Sequence, residues 1–125
     1  MTGALDADVP VWVQVGAAAA LRDGATLVAT ARGWSLLLLR DGDAVHAVEN
    51  RCTHAATRLD TGRLKRCVIS CPLHGARFDL RDGSVLRGPA TRPLAAFEAR
   101  INGDDIEVAL PERPAPAGPK AGAPP

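Results

Sequence analysis

The chain has few cysteines and no long hydrophobic segment, and both features narrow the classes of protein it can belong to. Its 125 residues include three Cys, an odd number that argues against a disulfide framework and fits a reducing compartment. Even the four consecutive leucines at 36–39 are far too short to span a bilayer. The first eight residues contain two Asp and lack the basic and apolar regions of a secretory signal. We therefore expect a cytoplasmic protein without a membrane segment.

Charge and motif content exclude further classes. The formal net charge is +1, which favours neither a nucleic-acid partner nor a membrane surface. No glycine-rich nucleotide fingerprint follows a predicted strand, and no internal repeat is visible. The length suits one domain with a modest core.

Alternation of apolar and polar residues predicts short strands with one buried face. The segments that show it are 11–15, 44–49, 97–101 and 106–110, whereas the predicted strand at 34–40 is apolar on both faces at its centre. A short helical turn is expected at 17–21. Hairpin signals separate the later strands, at Asp41-Gly42, Asp82-Gly83 and Asn102-Gly103. The sequence therefore predicts an all-β domain, an antiparallel sandwich or small barrel.

The two ends of the chain differ from this pattern. Six of the ten prolines lie in residues 111–125, with Ala, Gly and little charge, a composition that cannot form a packed core. We expect a flexible N-terminus at 1–8, a folded domain at 9–110 and a disordered Pro-rich tail at 111–125.

Two matched Cys–His pairs are the strongest chemical signal. Cys52 and His54 form the first pair, and Cys71 and His74 form the second. Thiolate and imidazole are ligands that zinc and iron–sulfur centres select. Because each pair mixes one Cys with one His, the set suits two irons, one held by the thiolates and one by the imidazoles. A structural Zn²⁺ on the same four ligands is the alternative.

The spacing of these ligands resembles the signature of a known family. Cys52-x-His54 with Cys71-x-x-His74-Gly75 is similar to the Rieske motif, and the resemblance extends over roughly residues 9–110. It implies a Rieske-type fold with a cluster-binding subdomain of two ligand loops, at about residues 50–90, inserted between strands of a base. It also implies one [2Fe-2S] cluster bound by Cys52, His54, Cys71 and His74.

The remaining Cys and His have plainer interpretations. Cys67 precedes Cys71 by four residues, and if 67–70 is a strand it shares a face with Ile69, so we predict a packed residue and not a fifth ligand. His46 has no nearby Cys and is predicted to be a strand surface residue. With two of the three His used as ligands, a two-His-one-carboxylate iron site is excluded within this chain.

A cluster whose ligands all come from protein leaves no open position for substrate, which favours one-electron transfer over catalysis. Respiratory Rieske proteins, as a family, clamp their loops with a disulfide, but the matching positions here are Thr57 and Leu73. Their cluster-bonding Ser and Tyr are replaced by Ala76 and Phe78. Fewer donors to the reduced cluster predict a potential near the low end of the Rieske range, about −150 mV.

The resemblance therefore implies a soluble, monomeric Rieske-type ferredoxin of a multicomponent aromatic-ring dioxygenase system. In that role it is not catalytic alone: it takes electrons from a flavin-dependent ferredoxin reductase and passes them to a terminal oxygenase. Two alternatives remain at this point, a Rieske-type small subunit of an assimilatory nitrite reductase and a zinc-binding interaction module without redox role.

Charge is unevenly distributed along the chain. Residues 51–92 contain nine Arg or Lys and three Asp, a net +6, and the remainder has six basic and eleven acidic residues, a net −5. This excess is either a solvated face that offsets the anionic cluster or a docking surface for an acidic partner.

Overall fold

The computed structural model describes residues 10–53, 57–73 and 75–111, which form an almost entirely β structure. Its eleven strands are β1 (Pro10–Ala17), β2 (Thr26–Ala31), β3 (Trp34–Asp41), β4 (Ala44–Glu49), β5 (Arg63–Lys65), β6 (Val68–Ser70), β7 (Arg77–Asp79), β8 (Val85–Arg87), β9 (Ala96–Phe97), β10 (Ala99–Asn102) and β11 (Asp105–Pro111). A short 3-10 helix (Ala18–Ala20) follows β1, within the predicted helical turn. In the described part of the chain, no helix is long and apolar enough to cross a membrane.

The strands pair antiparallel in three sheets. The first sheet has the order β1-β11-β10, and the second has the order β2-β3-β4-β9. These two sheets form the base of the molecule. The third sheet, β5-β6-β7-β8, is built from three-residue strands and lies between β4 and β9 in the chain. An all-β base with an inserted subdomain is thus confirmed as the architecture.

Strand β3 divides two hydrophobic cores. Because successive side chains of a strand point to opposite faces, Leu36 and Leu38 pack on one side and Leu37 and Leu39 on the other. The first side is the base core, whose other buried members are Leu21, Ala29, Val45, Ala47, Ile106, Val108 and Leu110. The second side is the subdomain core, whose other buried members are Val48, Cys52, Leu59, Ile69, Cys71, Ala76, Phe78, Leu80, Ala90 and Leu94.

The apolar centre of β3 therefore has a structural reason. Both of its faces are covered, one by the first sheet and one by the third, so neither face can be polar. All four leucines are at most 1% exposed. Complete burial of one such side chain contributes about 1.5–3 kcal/mol. Because its leucines are buried in both cores, β3 is the strand that joins the subdomain to the base.

Turn geometry differs in detail from the sequence-based prediction. Asp41 pairs with Ala44, so the hairpin loop is Gly42-Asp43, with Gly42 at φ 63°. A glycine at positive φ in the first loop position is typical of type II′ turns, whose twist matches the strands. The loop at Gly103, which has the same φ, is arranged in the same way.

Two predicted strand limits are corrected. The strand considered at 67–70 begins at Val68 as β6, because Arg66 and Cys67 form the turn that joins it to β5. The predicted strand at 106–110 extends by one residue at each end as β11, and Pro111 pairs with Pro10 at the last position of the β1–β11 ladder. A proline is tolerated there because the end of a ladder requires no further N–H donor. The predicted flexible N-terminus at 1–8 and the predicted tail at 111–125, apart from Pro111, lie outside the described residues.

Candidate metal centre

The first ligand loop follows β4 and begins with a buried thiol. Cys52 is fully buried in the subdomain core. Its backbone N–H donates to the carbonyl of Thr57 at 2.7 Å, which closes the loop across residues 53–56. The predicted ligand His54 lies inside that loop but outside the described residues.

The second ligand loop repeats this closure. Cys71 follows β6 and is 3% exposed, and its N–H donates to the carbonyl of Ala76 at 2.7 Å. The N–H of Gly75 returns to the carbonyl of Cys71 at 3.1 Å, with Gly75 at φ 75°. In both loops the bond joins the cysteine to the fifth residue after it. The predicted ligand His74 is enclosed in this loop and, like His54, lies outside the described residues.

The two described members of the predicted ligand set, both cysteines, fit the thiolate-bound iron of a two-iron cluster. Cys52 and Cys71 belong to the same buried core, so two thiols from separate loops share one water-excluded environment. Within the described residues, no three His, Cys, Asp or Glu side chains converge as a metal site. The two other predicted ligands, His54 and His74, lie in the sequence between each cysteine and the residue that closes its loop, outside the described residues.

A buried asparagine braces the first ligand loop. Asn50, 1% exposed, accepts hydrogen bonds at Oδ1 from the N–H groups of Leu59 (2.8 Å) and Asp60 (3.0 Å). Its Nδ2 donates to Asp60 Oδ1 at 2.8 Å. The two ends of the loop are thereby joined through one side chain. Sequence reasoning did not identify this role of Asn50. The available signal was an Asn next to a loop, where its amide can replace a backbone partner.

A further connection ties the first loop to the segment that follows β8. Thr53 Oγ1 donates to the carbonyl of Arg92 at 2.6 Å, and the Arg92 guanidinium reaches the carbonyl of Thr53 at 3.5 Å. At the end of the same segment, the N–H of Glu49 donates to the carbonyl of Ala95 at 2.8 Å. Two stretches distant in sequence, 49–53 and 92–95, therefore meet at the first loop.

One glycine is required by close packing beside the second loop. A Cβ on Gly62 would collide with the backbone carbonyl of Ser70, the residue before Cys71. The N–H of Gly62 also donates to the carbonyl of Leu59 at 2.8 Å. Gly62 lets the chain leaving the first loop pass directly against the strand that leads into the second.

Two aspartates carry charge-assisted bonds at the edges of the subdomain. Asp79 accepts from the Arg81 side chain at 2.7 and 3.0 Å and from the Arg81 N–H at 2.9 Å, and these hydrogen bonds lower the pKa of Asp79. The hydrogen bonds from Arg58 likewise lower the pKa of Asp60, with help from Asn50. Both carboxylates are thus stabilised in the charged form.

The other two sulfur and imidazole groups lie away from the ligand loops. Cys67 packs against the subdomain core from the β5–β6 turn, as predicted, and burial raises the pKa of its thiol. His46 is half-buried and not a surface residue, with Nε2 at 4.0 Å from Asp41 Oδ2. The reason is that its face of β4 also carries Val48 and turns toward the subdomain core.

Comparison with known proteins decides the family. Residues 11–98 match the Rieske [2Fe-2S] domain. The chain belongs to the Rieske [2Fe-2S] family. A ferredoxin component of a naphthalene 1,2-dioxygenase system from Pseudomonas aeruginosa is 32% identical over 99 residues, covering 79% of this chain and 95% of the relative. This Rieske chain carries one Rieske-type [2Fe-2S] cluster, which confirms the expectation from the ligand pairs.

Solved structures agree with this assignment. The ferredoxin of carbazole 1,9a-dioxygenase from Nocardioides aromaticivorans IC177 is 35% identical with a TM-score of 0.73, covering 81% of this chain and 97% of that one. A ferredoxin solved in complex with the oxygenase of a carbazole 1,9a-dioxygenase is 32% identical with a TM-score of 0.73, covering 84% and 96%. The relatives are ferredoxins, which confirms the expectation of an electron carrier that is not catalytic alone.

One structural neighbour bears on the alternative function. A protein from Mycobacterium tuberculosis assigned as the small subunit of an NADH-dependent nitrite reductase is 26% identical with a TM-score of 0.70. The likeness covers 82% of this chain and 97% of that one.

Proposed function

We propose that this Rieske chain carries single electrons from a flavin-dependent ferredoxin reductase to a separate terminal oxygenase that acts on aromatic rings. The observation that carries the proposal is the pair of ligand loops, each closed by the same cysteine-to-fifth-residue bond around a predicted histidine. The names of the ferredoxin relatives support the choice of partners. We place the protein in the cytoplasm, as a monomer.

The proposed ligands are Cys52, His54, Cys71 and His74, within a Rieske domain at 9–110 whose cluster-binding subdomain spans about residues 50–90. When bound there, the cluster supplies a one-electron couple at a potential above that of plant-type ferredoxins. The chain's own part is to exclude water from the two thiolates and to hold both loops rigid. Asn50 and the Thr53–Arg92 bonds do this for the first loop.

The deciding experiment is low-temperature EPR of the dithionite-reduced holoprotein, with an iron and sulfide assay. We expect two irons per chain and a rhombic signal whose average g lies below that of all-cysteine clusters. A redox titration should give a midpoint potential of about −150 mV, since few hydrogen-bond donors stabilise the reduced cluster. A silent spectrum with one zinc per chain would overturn the proposal.

A nitrite reductase small subunit is the second candidate, favoured by the Mycobacterium tuberculosis neighbour. Size-exclusion chromatography of the natively purified protein separates the two functions. An electron shuttle elutes alone as a monomer, whereas a permanent subunit elutes with a large sirohaem protein.

A further inference from the structure

The outer face of the third sheet carries a row of cationic side chains. Because side chains alternate along strands, Leu64, Ile69 and Phe78 point inward to the subdomain core. Their neighbours on the opposite face are in register across all four strands, as the paired sequence Arg63, Ser70, Arg77 and Arg87. Positions paired across adjacent strands have Cβ atoms about 4.5–5.5 Å apart, so the row places positive charge along one line.

Three residues of this row, Arg63, Ser70 and Arg77, line one wall of a groove. The groove has a volume of about 960 Å³, and its other wall comes from the end of β3 and the turn before β2. Six basic residues line it against a single acid, Asp41; the six are Arg40, Arg63, Lys65, Arg66, Arg77 and Arg81. We call this feature the basic groove.

Four of the six cations have no hydrogen-bond or ion-pair partner within the described part of the chain. Arg81 is paired with Asp79, and Arg40 donates to the carbonyls of Gly42 and Leu21. The side chains of the other four, Arg63, Lys65, Arg66 and Arg77, make no hydrogen bond or ion pair there and are exposed. Their positive charge is therefore available to an external anion.

Two features of the basic groove oppose folding. Arg66 has φ 57°, a left-handed conformation that raises the free energy of a residue with a Cβ. Arg77 lies directly opposite Arg87 on β8, and like charges in such a pair are destabilising. Both arrangements nevertheless leave an exposed guanidinium at the third sheet.

The lining indicates what kind of anion fits. It contains no aromatic residue on which a nucleobase could stack, and small-molecule pockets are mostly apolar and enclose their ligand. Here the cations are exposed and spread over three strands, as in electrostatically complementary protein interfaces. The basic groove also borders the second ligand loop, because Ser70 precedes Cys71 and Arg77 follows Ala76. A protein bound there would lie beside the metal centre.

We infer that the basic groove binds an acidic segment of a redox partner protein and thereby positions that partner beside the second ligand loop. The identity of the partner as a redox protein rests on the proposed function, but recognition of an acidic segment by these cations does not. Electrostatic attraction to such a surface also accelerates the encounter of the two proteins, and this acceleration decreases as the salt concentration rises.

The first test is fluorescence anisotropy of the oxidised holoprotein with a dye-labelled, glutamate-rich peptide of about ten residues, the usual scale of a docked segment. The matched control peptide has glutamine at each glutamate. We expect saturable binding of the acidic peptide alone at low salt. Replacing one groove cation, as in Arg77→Gln, should weaken binding about two- to fivefold, and the triple replacement of Arg63, Lys65 and Arg77 by Gln about tenfold or more.

Arg32→Gln is the control for net charge. Arg32 is exposed in the turn between β2 and β3, at the opposite end of β3 from the basic groove, and its loss removes the same single charge. Arg66→Gly guards against misfolding, because glycine tolerates the positive φ that arginine strains. It should fold at least as well as the parent and still weaken the peptide.

Three results would overturn the inference: no binding of the acidic peptide, equal weakening by Arg32→Gln, or tighter binding of inorganic tripolyphosphate with the same dependence on groove residues. The last would make the basic groove a small-anion site. Failure of the proposed function is measured separately. EPR of the same samples reports on the cluster, whereas peptide binding to the oxidised protein requires no electron transfer.

Discussion

The base and the cluster-binding subdomain are stabilised in different ways. The base has strands of up to eight residues, paired over long ladders and packed on a hydrophobic core. The subdomain has strands of three residues, and side chains such as Asn50 and Asp79 supply bonds that its short ladders cannot. Two of its buried core members are the predicted ligands Cys52 and Cys71. The base is thus organised by hydrophobic burial, whereas the subdomain adds polar bracing to its own hydrophobic core and, in the proposed function, metal ligation.

Removing a predicted ligand should have the largest effect, because it should destabilise the subdomain and leave the base folded. Cys52→Ala or Cys71→Ala should abolish iron binding, and the amides of β5–β8 should lose hydrogen-exchange protection while those of β3 and β11 keep it. The reason is that metal binding contributes directly to folding of the part that holds the ligands. Iron assay and exchange mass spectrometry measure the two effects.

Cys67→Ala is the matched control for the ligand variants. It removes a thiol of the same subdomain that packs from the β5–β6 turn, and iron content should stay unchanged. Full iron content in Cys71→Ala would contradict the assignment of Cys71 as a ligand.

The two faces of β3 allow a sharper test. Leu37 and Leu38 are adjacent and at most 1% exposed, but Leu37 packs in the subdomain core and Leu38 in the base core. Either Leu→Ala change should lower the free energy of unfolding by about 2–5 kcal/mol. Only Leu37→Ala should also alter the EPR line shape of the reduced cluster. Identical spectra for the two variants would show that the cores are not separate environments for the cluster.

Asn50→Ala should weaken the first loop by a smaller amount. The N–H groups of Leu59 and Asp60 would lose their shared acceptor, and one buried group without a partner costs about 1–3 kcal/mol. Faster exchange at these two amides, read by exchange mass spectrometry, should accompany the lower stability. Asn102→Ala, at the exposed end of β10 in the base, should change stability by less than about 0.5 kcal/mol.

Acid should affect the subdomain through Asp60 and Asp79. Both carboxyls have pKa values lowered by hydrogen bonds from arginine, so their stabilising contribution is complete above the unfolded-state pKa. That contribution is lost as the pH falls through the folded-state pKa, below about pH 4. Asp79→Asn should cost about 1 kcal/mol at neutral pH, since Arg81 is largely exposed, and should flatten the acid limb of a urea-denaturation series. An unchanged acid limb would assign the pH dependence to other groups.

Much of the architecture could be predicted because its signals are local. Alternation along 44–49 correctly predicted the strand β4, and the doubly apolar pattern at 34–40 correctly described β3. The β5 strand and the start of β6 were harder, since three-residue strands carry almost no periodicity and Arg66 is an unusual residue at positive φ.

The sequence by itself determined the cofactor type, the all-β class and the family, because residue type and spacing within a loop are sufficient for these, and its ligand set stays a prediction. Only the tertiary structure decided that Asn50 holds both ends of the first loop, that β3 separates two cores, and that Arg63, Ser70, Arg77 and Arg87 form one row. These features depend on register between segments far apart in the chain, and no local pattern specifies which residue lies opposite which.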